Sequence, residues 1–553
     1  MTTETKLSTR SAGNFFQATR LRRLGGFLAV MAAIGIAAQF VPWINDNSVR
    51  NVISVLAATL AFLGFAIWLI RGCLQQGAVV LAICVGVAMF ILPVSLVRIR
   101  GFSGAFLPDL EVRFFSRSKP PLASRPVAVP SEVDPEKRLA TADFTQFLGT
   151  QRTGVVPQRA FKMPLAVAPA KLWQIPLGEG WSGFAVVGDR CVTQEQRGEV
   201  ESVTCYRLED GALLWIHETN NRHETTMGGI GPRATPTIQD GRVYTQGANG
   251  LVLCLDLYSG TELWRQDLLT LAGWSAEESI AAIAWGRSGS PLIVDSLCVL
   301  PFGAPSADFQ GRQHDGIALE GRSLIALDVQ SGEVRWTTGD DQISYASPIL
   351  MTLAQQRQIV IVNEKSVSGH AVEDGKTLWT APWRGSSNSG ANCAAAMQVD
   401  ETGFLLGKAY GRGSELVELR ATDEGFQAET RWAKSSLLKT KLTHAVVQGG
   451  VTYALSDGML ECVDLDAARR LWAQPRGRRY GHGQLLLVED TLVVQCETGE
   501  IALVAARTDR FEELTKFSAL SSKTWNIPAV AGNLLLVRND VEAICFELPP
   551  RSR

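Results

Sequence analysis

The 553-residue sequence lacks the features that most directly assign a function. Its formal net charge is −2, and no Lys/Arg-rich run stands out beyond the flanks of its apolar N-terminal segments. Nucleic-acid sites need a concentrated positive face, so no nucleic acid is expected as a partner. The ten cysteines include no CxxC and no adjacent pair. The six histidines, His217, His223, His314, His370, His444 and His482, have no metal-ligand spacing with Cys or with one another, which argues against structural zinc. No GxSxG stands at a strand-to-helix turn, so a hydrolase elbow has no support. Two glycine-rich stretches fail as nucleotide motifs. Gly369 to Gly375-Lys376-Thr377 is one residue too long for a phosphate loop. Gly229-Ile230-Gly231-Pro232-Arg233-Ala234 leads into Thr-Pro-Thr and a strand, so no helix N-terminus meets a phosphate there.

What is present begins with three apolar runs, 25–44, 52–70 and 77–97, none holding an acid or a base. A membrane-spanning helix needs about 20 such residues, and a cleaved signal would explain one run but not three. Residues 1–24 are therefore expected as a cytoplasmic tail and 25–97 as three transmembrane helices. Lys6, Arg10, Arg20, Arg22 and Arg23 favour a cytoplasmic N-terminus, while Arg98, Arg100, Arg113, Arg117 and Lys119 pull the other way. Residues 98–142 are expected as a linker; 116–140 hold five prolines and suit an extended, semi-rigid spacer.

The rest of the chain repeats. RLEDGALLW, DLYSGTELW, DVQSGEVRW and AVEDGKTLW align without gaps, with Gly211, Gly260, Gly332 and Gly375 four residues before Trp215, Trp264, Trp336 and Trp379. Looser copies end at Trp432 and Trp472, and a degenerate one passes through 511–517. Two further apolar segments precede each turn, giving four strands in roughly 40 to 70 residues, the pattern of a β-propeller blade. Units start near Trp181, Arg233, Arg287, Tyr345, Asn392, Thr443, His482 and Trp525. The last lacks a fourth strand, which 171–177 (KLWQIPL) can supply, closing the ring and removing an open edge. The expected fold is all-β, an eight-bladed propeller over 143–548 with a tail at 549–553; seven blades remain open if the degenerate unit is a loop. Cys205, Cys254 and Cys462 fall six residues before the turn position, Cys545 lies on the matching strand, and Ala326 replaces Cys in the third unit. They read as small buried packing residues.

In a propeller the innermost strand of each blade lines the channel and its first residues sit at the mouth. Those positions are Trp181 with Ser182, Arg233, Arg287 with Ser288, Tyr345, Asn392, Lys441 with Thr443 and His444, His482, and Trp525 with Asn526. The set is aromatic and basic without a carboxylate, which suits a flat or small anionic ligand.

These repeats, with the segment 143–157 (DFTQFLGTQRTGVVP), resemble the pyrroloquinoline-quinone (PQQ)-like β-propeller repeat proteins. That family includes quinoprotein alcohol dehydrogenases and outer-membrane-assembly lipoproteins of the BamB type. The resemblance implies an eight-bladed ring on the periplasmic side of a bacterial inner membrane. It also implies either a non-catalytic scaffold binding envelope proteins or a ligand, or a PQQ-dependent dehydrogenase feeding membrane quinone. Family dehydrogenases hold PQQ with Ca²⁺ through carboxylate and amide oxygens, and many carry a vicinal Cys-Cys pair. This sequence has no such pair, and Glu195, Asn363 and Glu364 are the nearest oxygen donors, so no cofactor is expected and the scaffold is favoured.

Overall fold

The computed structural model describes residues 4–41, 46–75, 77–91, 95–113, 121–123, 143–156, 168–305, 312–319, 321–475 and 477–549. The chain divides into two compact units, Met1–Ser118 and Lys119–Arg553. Most of the expected Pro-rich linker, 114–120 and 124–142, lies outside the described residues.

In the first unit, helices Glu4–Phe40 and Asn47–Gln75 are followed by Val79–Gly86, which continues as a π-helical turn, Val87–Ile91. Leu21–Phe40 and Asn47–Gln75 are long and apolar enough to cross a membrane; the third, Val79–Ile91, is shorter. The ends of the first and third expected runs include 42–45 and 92–94, outside the described residues. The first two helices are tied by Ser54, whose hydroxyl donates to the Gly35 carbonyl at 2.9 Å and accepts from Gln39 Nε2 at 2.8 Å. Arg50 donates to the carbonyls of Gln39 and Val41 at 3.0 and 3.1 Å, satisfying acceptors that the end of the first helix leaves open. The third helix runs back along the second. A Cβ on Gly86 would lie 3.9 Å from Ile70 Cδ1, and the Phe90 ring meets Phe62 at 6.0 Å. Residues 97–112, the start of the span taken as linker from sequence, form a two-stranded hairpin, Val97–Phe102 with Pro108–Val112.

The second unit contains eight antiparallel sheets of the propeller type. Blade 1 comprises Ala185–Val187, Arg190–Arg197, Val200–Arg207 and Leu213–Thr219, and the first strands of blades 2 to 8 begin at Thr237, Leu292, Ile349, Met397, Val446, Gln484 and Ala529. First strands of neighbouring blades touch, so they form the inner wall. Blade 3 carries an inserted hairpin, Arg312–His314 with Ile317–Leu319. The degenerate seventh unit is a complete blade, joined by Val155–Val156 running parallel to its first strand. Ala170–Pro176 pairs with Glu542–Glu547 and completes blade 8, so the ring closes with an upstream strand as the repeat predicts.

The Gly-x-x-x-Trp spacing has a packing cause. Gly211, Gly260, Gly332 and Gly375 have φ between 70° and 77°, and a Cβ on them would lie 2.6–3.0 Å from the ring of Trp173, Trp215, Trp264 and Trp336 respectively. Each turn thus lies flat on the tryptophan of the preceding blade. The same ring then donates Nε1 to the carbonyl three residues before that glycine: Trp173 to Leu208 at 2.9 Å, Trp215 to Leu257 at 2.8 Å, Trp264 to Val329 at 3.1 Å. The cysteines lie opposite these tryptophans: Cys205 pairs with Trp215, Cys254 with Trp264, Cys462 with Trp472 and Cys545 with Trp173, each beside a β-bulge. Ala326 takes the place opposite Trp336, and in blade 7, which has no tryptophan, Leu503 fills it. A small residue leaves room for the indole, and all ten cysteines are unbridged.

The lead-in segment 143–156 runs across the inner strands. Phe144 bridges Val186 of blade 1, the Thr145 carbonyl accepts from Ile238 N of blade 2, and the Gly154 carbonyl accepts from Leu487 N of blade 7. Arg152, buried, donates to the carbonyls of Ser290, Pro291 and Pro348 at 3.0, 2.8 and 3.1 Å, joining blades 3 and 4. Burial pulls its guanidinium down to about 9.

Candidate functional site: the channel mouth

Most of the expected mouth residues fall into two linked groups. In the first group, Trp181 donates Nε1 to the Gly228 carbonyl at 2.7 Å. Arg233 donates to the carbonyls of Gly228 and Gly229 at 3.1 and 3.0 Å, and also to that of Gly231. These acceptors belong to a small hairpin, Glu224–Thr225 with Gly229–Ile230, inserted between blades 1 and 2. Glycines are required here, because a Cβ on Gly228 or Gly229 would lie 3.0 Å from Arg233 Nη2 or Trp181 Nε1. Trp525 packs against Trp181 at 4.9 Å between centroids with the rings tilted by 47°, and Lys523 Nζ lies 4.3 and 5.5 Å from the Trp525 and Trp181 rings. Asn526, fully buried, donates Nδ2 to the carbonyls of Ser182 and Gly180 at 2.7 and 3.1 Å.

The second group joins blades 3 to 5. Ser288 donates to the Tyr345 carbonyl at 2.8 Å, and the Tyr345 hydroxyl donates to the Ser387 carbonyl at 2.6 Å. Its ring stacks on Trp285 at 5.2 Å. Asn392 spends Nδ2 on the carbonyls of Asn363, Glu364 and Trp383, at 2.7, 3.1 and 3.4 Å. Arg287, 1% exposed, donates Nη1 to the Phe302 carbonyl, while its Nε and Nη2 have no partner among the described residues. Burial lowers its guanidinium to about 10. His482 joins the first group through Glu497, which also accepts from Trp525 Nε1. Lys441 is buried with its ammonium 4.9 Å from the Tyr410 ring centroid. His482 is buried, 3.9 Å from Asp457, with its main-chain N–H on Glu497 at 2.9 Å.

The expectation of a mouth without carboxylates is corrected. Glu497 accepts from Trp525 Nε1 at 2.9 Å, directly beside the first group. Glu201 is buried and accepts from Ala248 N at 3.2 Å; burial pushes its carboxyl up to about 7, against the pull of that bond and of Arg233. Burial pushes Glu195 up as well, but Arg197 at 3.1 Å, with Arg538 and Thr204, holds its carboxyl below the usual range. Glu195 was legible from sequence as an oxygen donor, whereas Glu201 and Glu497 were not, since their partners Ala248 and Trp525 belong to neighbouring blades.

Reasoning from sequence also missed a latch on the second strands. Gln495 of blade 7 donates to the carbonyls of Asn526 and Arg538 of blade 8 at 2.7 and 3.4 Å. Arg538 donates to Gln194 O of blade 1 at 2.9 Å, and Gln194 donates to Ala234 O and Gln246 O of blade 2 at 2.7 and 3.3 Å. The signal was present as polar residues closing apolar strands: VTQ, YTQ, VVQ and LVR.

A quinone with a hard cation needs several converging oxygens. No group of three or more His, Cys, Asp or Glu side chains suited to a metal occurs among the described residues. Glu195, Glu201 and Glu497 serve separate blades, and Asn363 lends its carbonyl to Asn392. Among the described residues, these side chains do not assemble the set such a cofactor uses.

Fold and mouth together define an eight-bladed propeller of the PQQ-like repeat class. Residues 166–304 and 248–512 match the family described as outer membrane protein assembly factor BamB, and the chain belongs to that family. The outer membrane protein assembly factor BamB of Moranella endobia (strain PCIT) is 23% identical over 270 residues, 47% of this chain and 60% of the relative, so the match spans three-fifths of that protein's length. Among solved structures, quinohemoprotein alcohol dehydrogenase ADHIIG of Pseudomonas putida HK5 superposes with a TM-score of 0.51 at 12% identity, covering 74% of this chain and 81% of that one. The Comamonas testosteroni quinohemoprotein alcohol dehydrogenase gives 0.52 at 10% identity with the same coverage. At such identities the likeness concerns the fold alone.

Proposed function

We propose that this protein is a scaffold of the bacterial envelope, held in the inner membrane by its N-terminal helices, with a periplasmic propeller that binds other envelope proteins. The observation that carries the reading is where the mouth's hydrogen-bonding groups are spent. Trp181, Arg233, Asn392 and Asn526 all donate to the chain's own carbonyls, and Trp525 to its own Glu497. A ring whose mouth is occupied by its own hairpin and loops works through its outer faces and edges. Membership of a family described as an assembly factor supports the same role. Arg287, with two unspent donors, is the mouth residue suited to a small anion.

The helices support anchoring by length and composition. Since the third retraces the second, a cytoplasmic N-terminus puts the propeller outside. The test uses the full chain in vesicles, titrated with PQQ and Ca²⁺ and assayed for dye-linked oxidation of alcohols and sugars. No saturable binding and no turnover are expected. Saturable binding with turnover would overturn the scaffold reading in favour of a dehydrogenase feeding membrane quinone.

A further inference from the structure

We infer that the hairpin 97–112 is an interfacial element that lays one apolar face into the outer surface of the bilayer. The inference rests on the anchoring reading above and adds a surface to it. Register puts Val97 opposite Val112 and Ile99 opposite Leu110, all on one face, with Arg98 opposite Glu111 on the other. Alternation of this kind normally buries one face. Here that face is open: Ile99, Leu110 and Val112 are 54%, 61% and 42% exposed. Arg98 and Glu111 meet at 2.7 Å on the opposite side, so the charged face satisfies itself.

What covers the apolar face follows from where the hairpin is tied. Asn51 Nδ2, near the start of the second helix, donates to the Ala105 carbonyl in the hairpin loop at 2.9 Å. Together with the contacts of Gly86 near Ile70 and Phe90 on Phe62, this forms a ladder running from the end of the second helix back to its beginning. The hairpin therefore sits level with the helix end at Asn47–Asn51, beside the point where Arg50 caps the first helix. Ser95 and Leu96 are helical immediately before Val97, and the apolar core of a bilayer is about 30 Å thick. The strands thus begin directly where helical form is last recorded, beside the apolar core. An open two-stranded sheet cannot sit in that core, because its edge N–H and C=O groups would be unsatisfied. At the interface those edges reach water and headgroups while Val97, Ile99, Leu110 and Val112 contact acyl chains.

The experiment places a benzophenone amino acid at Ile99 or Leu110 of the full chain, in vesicles of phosphatidylethanolamine and phosphatidylglycerol. Leu60, exposed on the second helix, is the control for anchoring, and Glu111 the control for the charged face. On illumination, lipid adducts at Ile99 and Leu110 should match those at Leu60 and exceed those at Glu111 several-fold. Lipid adducts at Leu60 but none at Ile99 or Leu110 would overturn the inference and leave the anchor standing. No lipid adduct at any position would remove both. An adduct of twice the chain mass at Ile99 or Leu110 would show that a second copy covers the face, and would overturn the inference.

Discussion

The seams around the ring closure and the seams of blades 3 to 5 are held together differently. From blade 7 to blade 2, side chains on the second strands reach forward in series: Gln495 to blade 8, Arg538 to blade 1, Gln194 to blade 2. Tryptophan Nε1 bonds add an outer clamp at two of those three seams, from Trp173 and Trp215. Between blades 3 and 5 the outer clamp is missing. Trp336 Nε1 is buried without a partner among the described residues, and Trp379 Nε1 turns back to Gln358 of its own blade at 2.5 Å. There the mouth does the holding, through Asn392 and Tyr345. Where the strand Ala170–Pro176 closes the ring, the seams are stitched at both radii. At its far side it relies on the inner radius, so the mouth polar residues act there as staples.

The sharpest way to break this comparison is to cut one staple on each side. Arg538 is fully buried, with a guanidinium that burial lowers to about 10, and it donates to Thr193 Oγ1 at 2.6 Å and to the carbonyls of Gln194 and Gly178 at 2.9 and 3.2 Å. Arg538→Met strands those acceptors and should destabilise the ring by about 4 kcal/mol. Asn392→Ala should cost about 2 kcal/mol, since its lost bonds are neutral. Denaturant unfolding gives the size, and hydrogen exchange the place. Exchange should rise at 178–194 and 534–546 for the first and at 343–394 for the second. Equal losses spread over the whole ring would erase the distinction.

Acidity separates the two sides next. Glu201 lies at the blade 1–2 seam with its carboxyl held up at about 7 by burial, against an unfolded value of about 4.3. Between those values the native state binds more protons than the unfolded one, so this group's contribution falls as pH rises through that window. Glu201→Gln is neutral throughout and escapes the fall. Relative to the native sequence, the variant should gain roughly 2–3 kcal/mol of stability between pH 4 and pH 8. A constant offset across that range, measured by denaturant unfolding, would mean that Glu201 is ionised in the folded ring at neutral pH.

The architecture was legible because each repeat carries its own cause. Glycine four residues before tryptophan is demanded by a ring lying against the turn, and the small residue six places before the turn, Cys254 in blade 2 and Ala326 in blade 3, leaves room for the indole opposite it. The closing strand was legible because 171–177 repeats the Trp-bearing strand that blade 8 lacks. The mouth was legible only as a list of positions. Register placed Trp181 and Arg233 at the ring's opening, but their acceptors sit on the inserted hairpin 224–230, which no repeat encodes. Glu497 and Glu201 escaped for a related reason: their partners, Trp525 and Ala248, belong to the next blade. Contacts across seams join residues far apart in sequence, and strand alternation says nothing about them.

The finest test compares two tryptophans in equivalent places. Trp264 and Trp336 are equally buried, at 7% exposure each, and each packs on the glycine of the next blade's turn. They differ in one hydrogen bond: Trp264 Nε1 donates to Val329 O at 3.1 Å, while Trp336 Nε1 has no partner among the described residues. Substituting phenylalanine removes similar apolar area from both, so the packing loss should nearly cancel in the comparison. The remaining difference is one buried hydrogen bond, and Trp264→Phe should be the more destabilising by about 1 kcal/mol. Trp336→Phe also removes a buried donor that nothing satisfies, which offsets part of its packing loss. If the two variants unfold at the same denaturant concentration, the tryptophan clamps act through packing alone. The blade 3–4 seam, which Arg152 and the Arg357–Asp295 pair also join, would then lose nothing by the missing indole bond.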